Sequence, residues 1–196
     1  MRADFAQIMR WVPEQAHVLD LGCGDGMLLD TLSRDKHITG YGLEIDPEGI
    51  TACLARGVDV MEQDLDGGLD NIGDDAFDVV IMTQALQVLR RPDLMLDEML
   101  RVARECIIAF PNFAYWRHRL YLGLNGRMPV SRALPHEWYD TPNIHLSTFK
   151  DFRRLCDQQG HRIIDQAVGN GHHQTHWSAE RWPNLFGQTA IFRIQR

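Results

Sequence analysis

Lysine is almost missing from this sequence: only Lys36 and Lys150 occur among 196 residues, so nearly all the positive charge is arginine. Guanidinium groups suit two-point capture of carboxylates or partner surfaces, although a solvated arginine-rich face has the same composition. Cysteine is scarce too. Cys23, Cys53, Cys106 and Cys156 stand apart, with no CxxC pair and no zinc spacing, which excludes a disulfide framework and points to free thiols in a reducing compartment. No apolar run reaches eighteen residues, so a membrane-spanning helix is excluded. Met1 to Phe5 lack the basic flank and apolar stretch of a secretory signal. The expectation is a cytoplasmic protein without a membrane partner. Internal repeats and low-complexity tracts are absent as well, and 44% hydrophobic with 24% charged residues fits one globular domain over residues 1–196.

Charge is unevenly spread. Residues 1–89 carry 17 acids against 5 bases, and residues 90–196 carry 10 acids against 15 bases. Nucleic-acid binding needs clustered cations to neutralise phosphates, so an acidic first half argues against that class.

Apolar runs alternate with helical patterns through the first 110 residues. Strands are expected at 17–21, 39–44, 58–61, 77–82 and 105–110, with helices at 27–34, 47–55 and 92–103 between them. This alternation means a doubly wound α/β fold, a mostly parallel sheet covered on both faces. The pattern breaks over residues 111–143, which read as an aromatic and arginine-rich insertion with a short helix near 114–122. Thr148 to Asp151 is a capping-box pattern that opens a helix ending near Gly160. Two closing strands, 162–168 and 189–194, flank a polar stretch.

The strongest chemical signal is Asp20-Leu21-Gly22-Cys23-Gly24-Asp25-Gly26, between the first strand and the first helix. Glycines there permit a sharp turn and leave bare amides for a ligand. Glu44 follows at the end of the second strand, where a carboxylate can accept ribose hydroxyls, and Gln63-Asp64 follows the third, where an adenine amino group can be held. A dinucleotide fingerprint starting at Gly22 would need Gly or Ala where Met27 stands. Asp20, just ahead of the glycines, is poor company for a pyrophosphate and good company for an ammonium group. S-adenosylmethionine carries an ammonium, a sulfonium, a ribose and an adenine, and no phosphate.

Asp-Leu-Gly-Cys-Gly-Asp-Gly, then Tyr41-Gly42-Leu43-Glu44-Ile45-Asp46, then Gln63-Asp64 resemble the motifs of class I S-adenosylmethionine-dependent methyltransferases. The resemblance implies a seven-stranded, mostly parallel sheet with the last strand antiparallel. It assigns Asp20, Gly22 and Gly24 to the methionine end of S-adenosylmethionine or S-adenosylhomocysteine, Glu44 to the ribose and Asp64 to the adenine. Phe77 to Gln87, Phe110-Pro111-Asn112-Phe113 with Trp116-Arg117 and Arg119-Leu120, and Trp138 to His145 are similar to the MetW family of bacterial methionine biosynthesis. That likeness implies action together with a MetX-like homoserine O-acyltransferase.

No catalytic residue declares itself. Methyl transfer from a sulfonium needs mainly orientation and a dry pocket, and the Asn-Pro-Pro-aromatic motif of amide-nitrogen methyltransferases is missing after the fourth strand, where Thr83-Gln84-Ala85-Leu86 stands. His145 and Tyr139 are the candidates for a role beside an acceptor, with a loop-satisfying histidine as the competing reading. His172, His173 and His176 lack the spacing of a metal site, so no metal is expected. Trp116, Arg117, Arg119, Tyr121, Arg127, Arg132 and Trp138 in the insertion have the composition of a docking surface, of a lid over a pocket, or of a helix lying on the sheet. Three functions remain open at this stage: an accessory protein, a small-molecule methyltransferase, and a binder of a phosphate-containing nucleotide.

Overall fold

The computed structural model describes residues 4–131, 133–169 and 177–196. Arg132 and the three histidines His172, His173 and His176 lie outside the described residues.

Seven strands form one sheet: β1 (His17–Leu21), β2 (Thr39–Glu44), β3 (Val60–Glu62), β4 (Phe77–Thr83), β5 (Ala103–Pro111), β6 (Arg162–Gly169) and β7 (Thr189–Gln195). Their order is β3-β2-β1-β4-β5-β7-β6. All pairings from β3 to β5 are parallel, while β7 lies antiparallel between β5 and β6. The helices are α1 (Phe5–Trp11), α2 (Met27–Lys36), α3 (Pro47–Arg56), α4 (Pro92–Val102), α5 (Trp116–Asn125), α6 (Phe149–Gln159), α7 (Trp177–Arg181) and α8 (Pro183–Phe186).

Strand alternation divides the core in two. Leu19, Val80, Met82, Ile108, Phe110 and Phe192 pack on one face, under α4 and α6. Val18, Val79, Ile81, Ile107 and Ile191 pack on the other, under α1, α2 and α3. Consecutive strand residues point to opposite faces, so a strand covered on both sides reads as a continuous apolar run. β4 does this, with only Asp78 exposed among its seven residues. Around Phe192 the rings of Phe149 and Phe152 lie at 4.5 and 4.6 Å, a geometry that adds about 0.5–1.5 kcal/mol per pair beyond burial.

Local signals end the helices where expected. Gly57 (φ 76°) closes α3 and Gly160 (φ 76°) closes α6, both left-handed caps that glycine adopts without strain. α6 opens with the full capping box, Thr148 and Asp151 each bonding the other's amide.

Four departures from the sequence-based expectation have physical reasons. α1 was not anticipated, because seven residues with Phe5 and Ile8 buried give too short a period to recognise. β3 starts at Val60 rather than Val58, since the Val58 amide is still bonded to the Cys53 carbonyl at the exit of α3. β5 starts at Ala103 without any loop after α4. The polar stretch holds two short helices, α7 and α8, packed near β6 and α6.

Candidate functional site

β1, β2 and β4 end side by side, and the chain leaves β1 toward β2 on one side while β4 continues toward β5 on the other. Such a switch point opens a crevice beyond the carboxyl ends of the strands, where α/β folds bind ligands. Asp20, Gly22, Gly24, Glu44 and Asp64 all reach this edge.

Asp20 is the fourth residue of β1, flanked by Gly42 of β2 and Ile81 of β4, and almost wholly buried. The chain then turns sharply: Gly22, Gly24 and Gly26 have φ of 69°, 57° and 71°. The Gly22 and Cys23 amides both donate to the Leu43 carbonyl of β2, at 2.8 and 3.1 Å, which anchors the turn to the neighbouring strand. A side chain at Gly22 would meet the Ala85 Cβ at 3.0 Å, whereas a Cβ at Gly24 would meet nothing within 4 Å. Gly24 therefore faces open space while its backbone demands positive φ, the combination expected where a ligand approaches bare backbone.

Glu44 has a more structural role than its position implied. One carboxylate oxygen accepts the Gly24 amide at 2.7 Å, and the other accepts the Ile45 and Asp46 amides at 2.8 and 3.0 Å. A carboxylate offers about four acceptor positions, so three amides leave room for roughly one further hydroxyl. Gly49 of α3 presses in behind, where a Cβ would sit 2.9 Å from the Gly24 carbonyl and 3.1 Å from Glu44 Cγ. Arg56 completes the clasp by donating to the Asp25 carbonyl at 2.8 Å and its carboxylate at 2.7 Å.

Asp64 stands one strand further out. Its side chain accepts the Asp66 amide at 3.0 Å and caps a short 3-10 turn, Leu65–Gly67, and the rest of it is exposed. The Gln63 amide donates to the Glu44 carbonyl at 3.0 Å, so the ends of β2 and β3 are held together.

Cys23 packs under the turn, where a Cβ on Gly42 would overlap its sulfur. Its thiol lies 3.7 Å from that of Cys53, which donates to the Gly24 carbonyl at 3.2 Å. Burial, reinforced by the negative charge of Asp20, pushes the Cys23 thiol far above its ordinary value. It is an inert packing group.

The two acceptor-side candidates are separated. His145 is exposed, but its amide and that of Ile144 both donate to the Gln87 carbonyl at 3.0 Å, which seats the end of the insertion on the segment following β4. Tyr139 instead lines a cleft of about 610 Å³ within the insertion, beside Tyr121, Arg127 and Trp138.

Sequence reasoning missed the segment after β4. Gln84 has φ 61°, rare for a residue with a Cβ, and its amide continues the pairing with β5 by donating to the Ala109 carbonyl at 2.7 Å. Gln87 is buried and its Nε2 closes the turn on the Gln84 carbonyl at 2.7 Å. The segment thus touches the glycine turn through Ala85 and the insertion through Gln87. The sequence signal was only a departure from a known motif at Thr83 to Leu86, which named no role.

Among the described residues, no group of three or more His, Cys, Asp or Glu side chains has the arrangement of a metal site. No described helix is long and apolar enough to cross a membrane.

The family model for the methionine biosynthesis protein MetW matches residues 2–194. The chain belongs to the MetW family. A bifunctional methionine biosynthesis protein MetXA/MetW of Rhodopirellula baltica is 35% identical over 206 residues, covering 100% of this chain and 33% of that protein. The chain thus spans about a third of the length of the curated relative it matches. Among solved structures, an S-adenosylmethionine-dependent methyltransferase from Mesorhizobium loti aligns with TM-score 0.72 at 16% identity, covering 99% of this chain and 98% of that one. Another, from Archaeoglobus fulgidus, aligns with TM-score 0.70 at 16% identity, covering 99% and 92%. At such identity the likeness is one of fold: the MetW-family chain has the class I methyltransferase architecture, seven strands with the last antiparallel.

Proposed function

We propose that this MetW-family chain binds S-adenosylmethionine or S-adenosylhomocysteine at the crevice above β1, β2 and β4. There it serves as the accessory subunit of a MetX-like homoserine O-acyltransferase. The partnership is carried by one observation, a relative whose name joins MetXA and MetW in a single bifunctional chain. Physical linkage of two modules raises their effective concentration without new contacts, and separate chains that share a task need a docking surface instead.

The residues of the crevice fit the ligand. Gly24 leaves a bare, open backbone where a Cβ would otherwise stand. Asp20 and Glu44 bring two carboxylates, suited to an ammonium and to ribose hydroxyls and unsuited to a pyrophosphate. Met27, the first residue of α2, occupies the position where a dinucleotide turn needs a small residue. Bound S-adenosylmethionine supplies an activated methyl group on its sulfonium. The chain itself contributes orientation, through Gly22, Gly24 and Glu44, and an edge at Gln84.

A methyltransferase acting on a small molecule is the second reading, favoured by the seat of His145 on the segment after β4. Co-purification with the acyltransferase, with and without added S-adenosylmethionine, separates the two. The accessory reading expects a stoichiometric complex and a change in acyltransferase turnover. Formation of S-adenosylhomocysteine from a small acceptor, with no complex, would overturn it.

A further inference from the structure

Seventeen large apolar side chains are exposed among the described residues, and eleven of them lie between positions 116 and 146. α5 is the extreme case. Of its ten residues only His118 is buried, while Leu120, Tyr121, Leu122 and Leu124 are exposed. A surface helix normally buries its apolar residues against its own core; those of α5 spread around its circumference and stay exposed. Next to it, Met128, Trp138 and Tyr139 border the 610 Å³ cleft, with Trp138 at 72% and Tyr139 at 71% exposure. Concentrated exposed apolar surface of this kind, aromatic at its centre, marks protein contact sites.

We infer that the face formed by residues 116–146 is the docking surface for the MetX-like homoserine O-acyltransferase, an inference that rests on the partnership proposed above. Three observations select that occupant. The chain matches only a third of a relative named for both modules, so there the MetW-like part shares its chain with a MetXA part. Among the described residues the rim of the face is basic: Arg117, Arg119 and Arg127 stand against Glu137 and Asp140. A second copy docked by two-fold symmetry would bring the same basic rim to both sides of the contact, and docking head to tail on the acidic first half would build rings or open filaments. A different chain that offers apolar pockets ringed by carboxylates meets neither obstacle. Finally, the cleft is lined by insertion residues alone, while the described backbone bonds to the crevice segment come from Ile144 and His145, just past the insertion, to the Gln87 carbonyl. A lid would place its apolar side chains over the glycine turn.

Arg119 is a poor probe, because its guanidinium holds the Ala114 and Asn184 carbonyls. Leu124 and Trp138 are 76% and 72% exposed, so Leu124→Asp and Trp138→Ala leave the fold undisturbed. Leu94→Asp, on α4 and 50% exposed, is the same chemistry outside the face. Affinity for the purified acyltransferase is measured by calorimetry, with thermal stabilisation by S-adenosylmethionine as the folding and ligand control. Leu124→Asp and Trp138→Ala are expected to bind the acyltransferase at least about thirtyfold more weakly, with wild-type affinity for Leu94→Asp and unchanged ligand stabilisation in all three. Wild-type affinity in both face variants would overturn the docking surface and leave the partnership standing. A wild type that never binds the acyltransferase would overturn the partnership and the docking surface with it. Sedimentation velocity that finds a wild-type dimer dispersed by Leu124→Asp would identify a second copy as the occupant and overturn the inference.

Discussion

Glu44 shows how one side chain can serve both fold and ligand. Its carboxylate gathers three backbone amides, one from the glycine turn and two from the start of the loop leading to α3. Hydrogen bonds to a charged acceptor each contribute about 1.5–3 kcal/mol, so Glu44→Ala loses both the anchor of Gly24 and a ribose acceptor. S-adenosylmethionine affinity should fall by about 1.5–3 kcal/mol in calorimetry, accompanied by a lower melting temperature. An unchanged affinity would place the ribose elsewhere. The same observation modifies what position alone implied, because a carboxylate expected to accept ribose hydroxyls spends its oxygens largely on backbone amides.

At the scale of elements, α6 and the insertion carry separate tests. Thr148 caps α6 through the Asp151 amide, and α6 buries Phe149, Phe152 and Cys156 beneath the sheet. Removing the cap by Thr148→Ala should lower stability by about 1 kcal/mol. For a chain of this size that is a fall of roughly 2–4 °C in melting temperature, and a scanning calorimeter would detect its absence. In α5 the buried His118 ring bonds Ser131 Oγ at 3.0 Å, tying the start of the insertion to its middle. Burial, opposed by a bond to the Asn112 backbone, holds its imidazole below the ordinary value of 6.5. The folded state therefore binds this proton less readily than the unfolded one, and its contribution to stability is full above pH about 6.5 and declines as pH falls below it. Melting temperature should drop between pH 7.5 and 5.5 more steeply in the wild type than in His118→Gln. Parallel slopes would remove His118 from the account.

For the whole molecule, a ligand that binds only the folded state raises stability by about 2.7 kcal/mol at a hundred times its dissociation constant. S-adenosylmethionine or S-adenosylhomocysteine should produce such a shift and NAD none. Stabilisation by NAD alone would reverse the assignment of the crevice. The glycine turn lies in the acidic first half of the chain, and most of the exposed large apolar side chains of the described residues lie in the basic second half.

Much of this was legible in the residues themselves. The alternation of strands and helices, the acid-glycine turn, Glu44 at the end of β2 and the capping box of α6 are written in neighbouring residues, because backbone preference, burial period and capping act over a few positions. Asp20, Gly22, Gly24, Glu44 and Asp64 could be named from spacing and family likeness, and the fold brings all five to one edge of the sheet. Four features depended on the tertiary structure: α1, the insertion of β7 between β5 and β6, the closure of Glu44 on Gly24, and the bond of Ile144 and His145 to Gln87. The last three join positions 20 or more apart in the chain, and α1 is too short for its period to be read. Their geometry follows from which faces pack and which amides remain to be satisfied, which no local pattern encodes. Tyr139 and His145 illustrate the limit: close in sequence, they are assigned by packing to a cleft in the insertion and to the edge of the crevice.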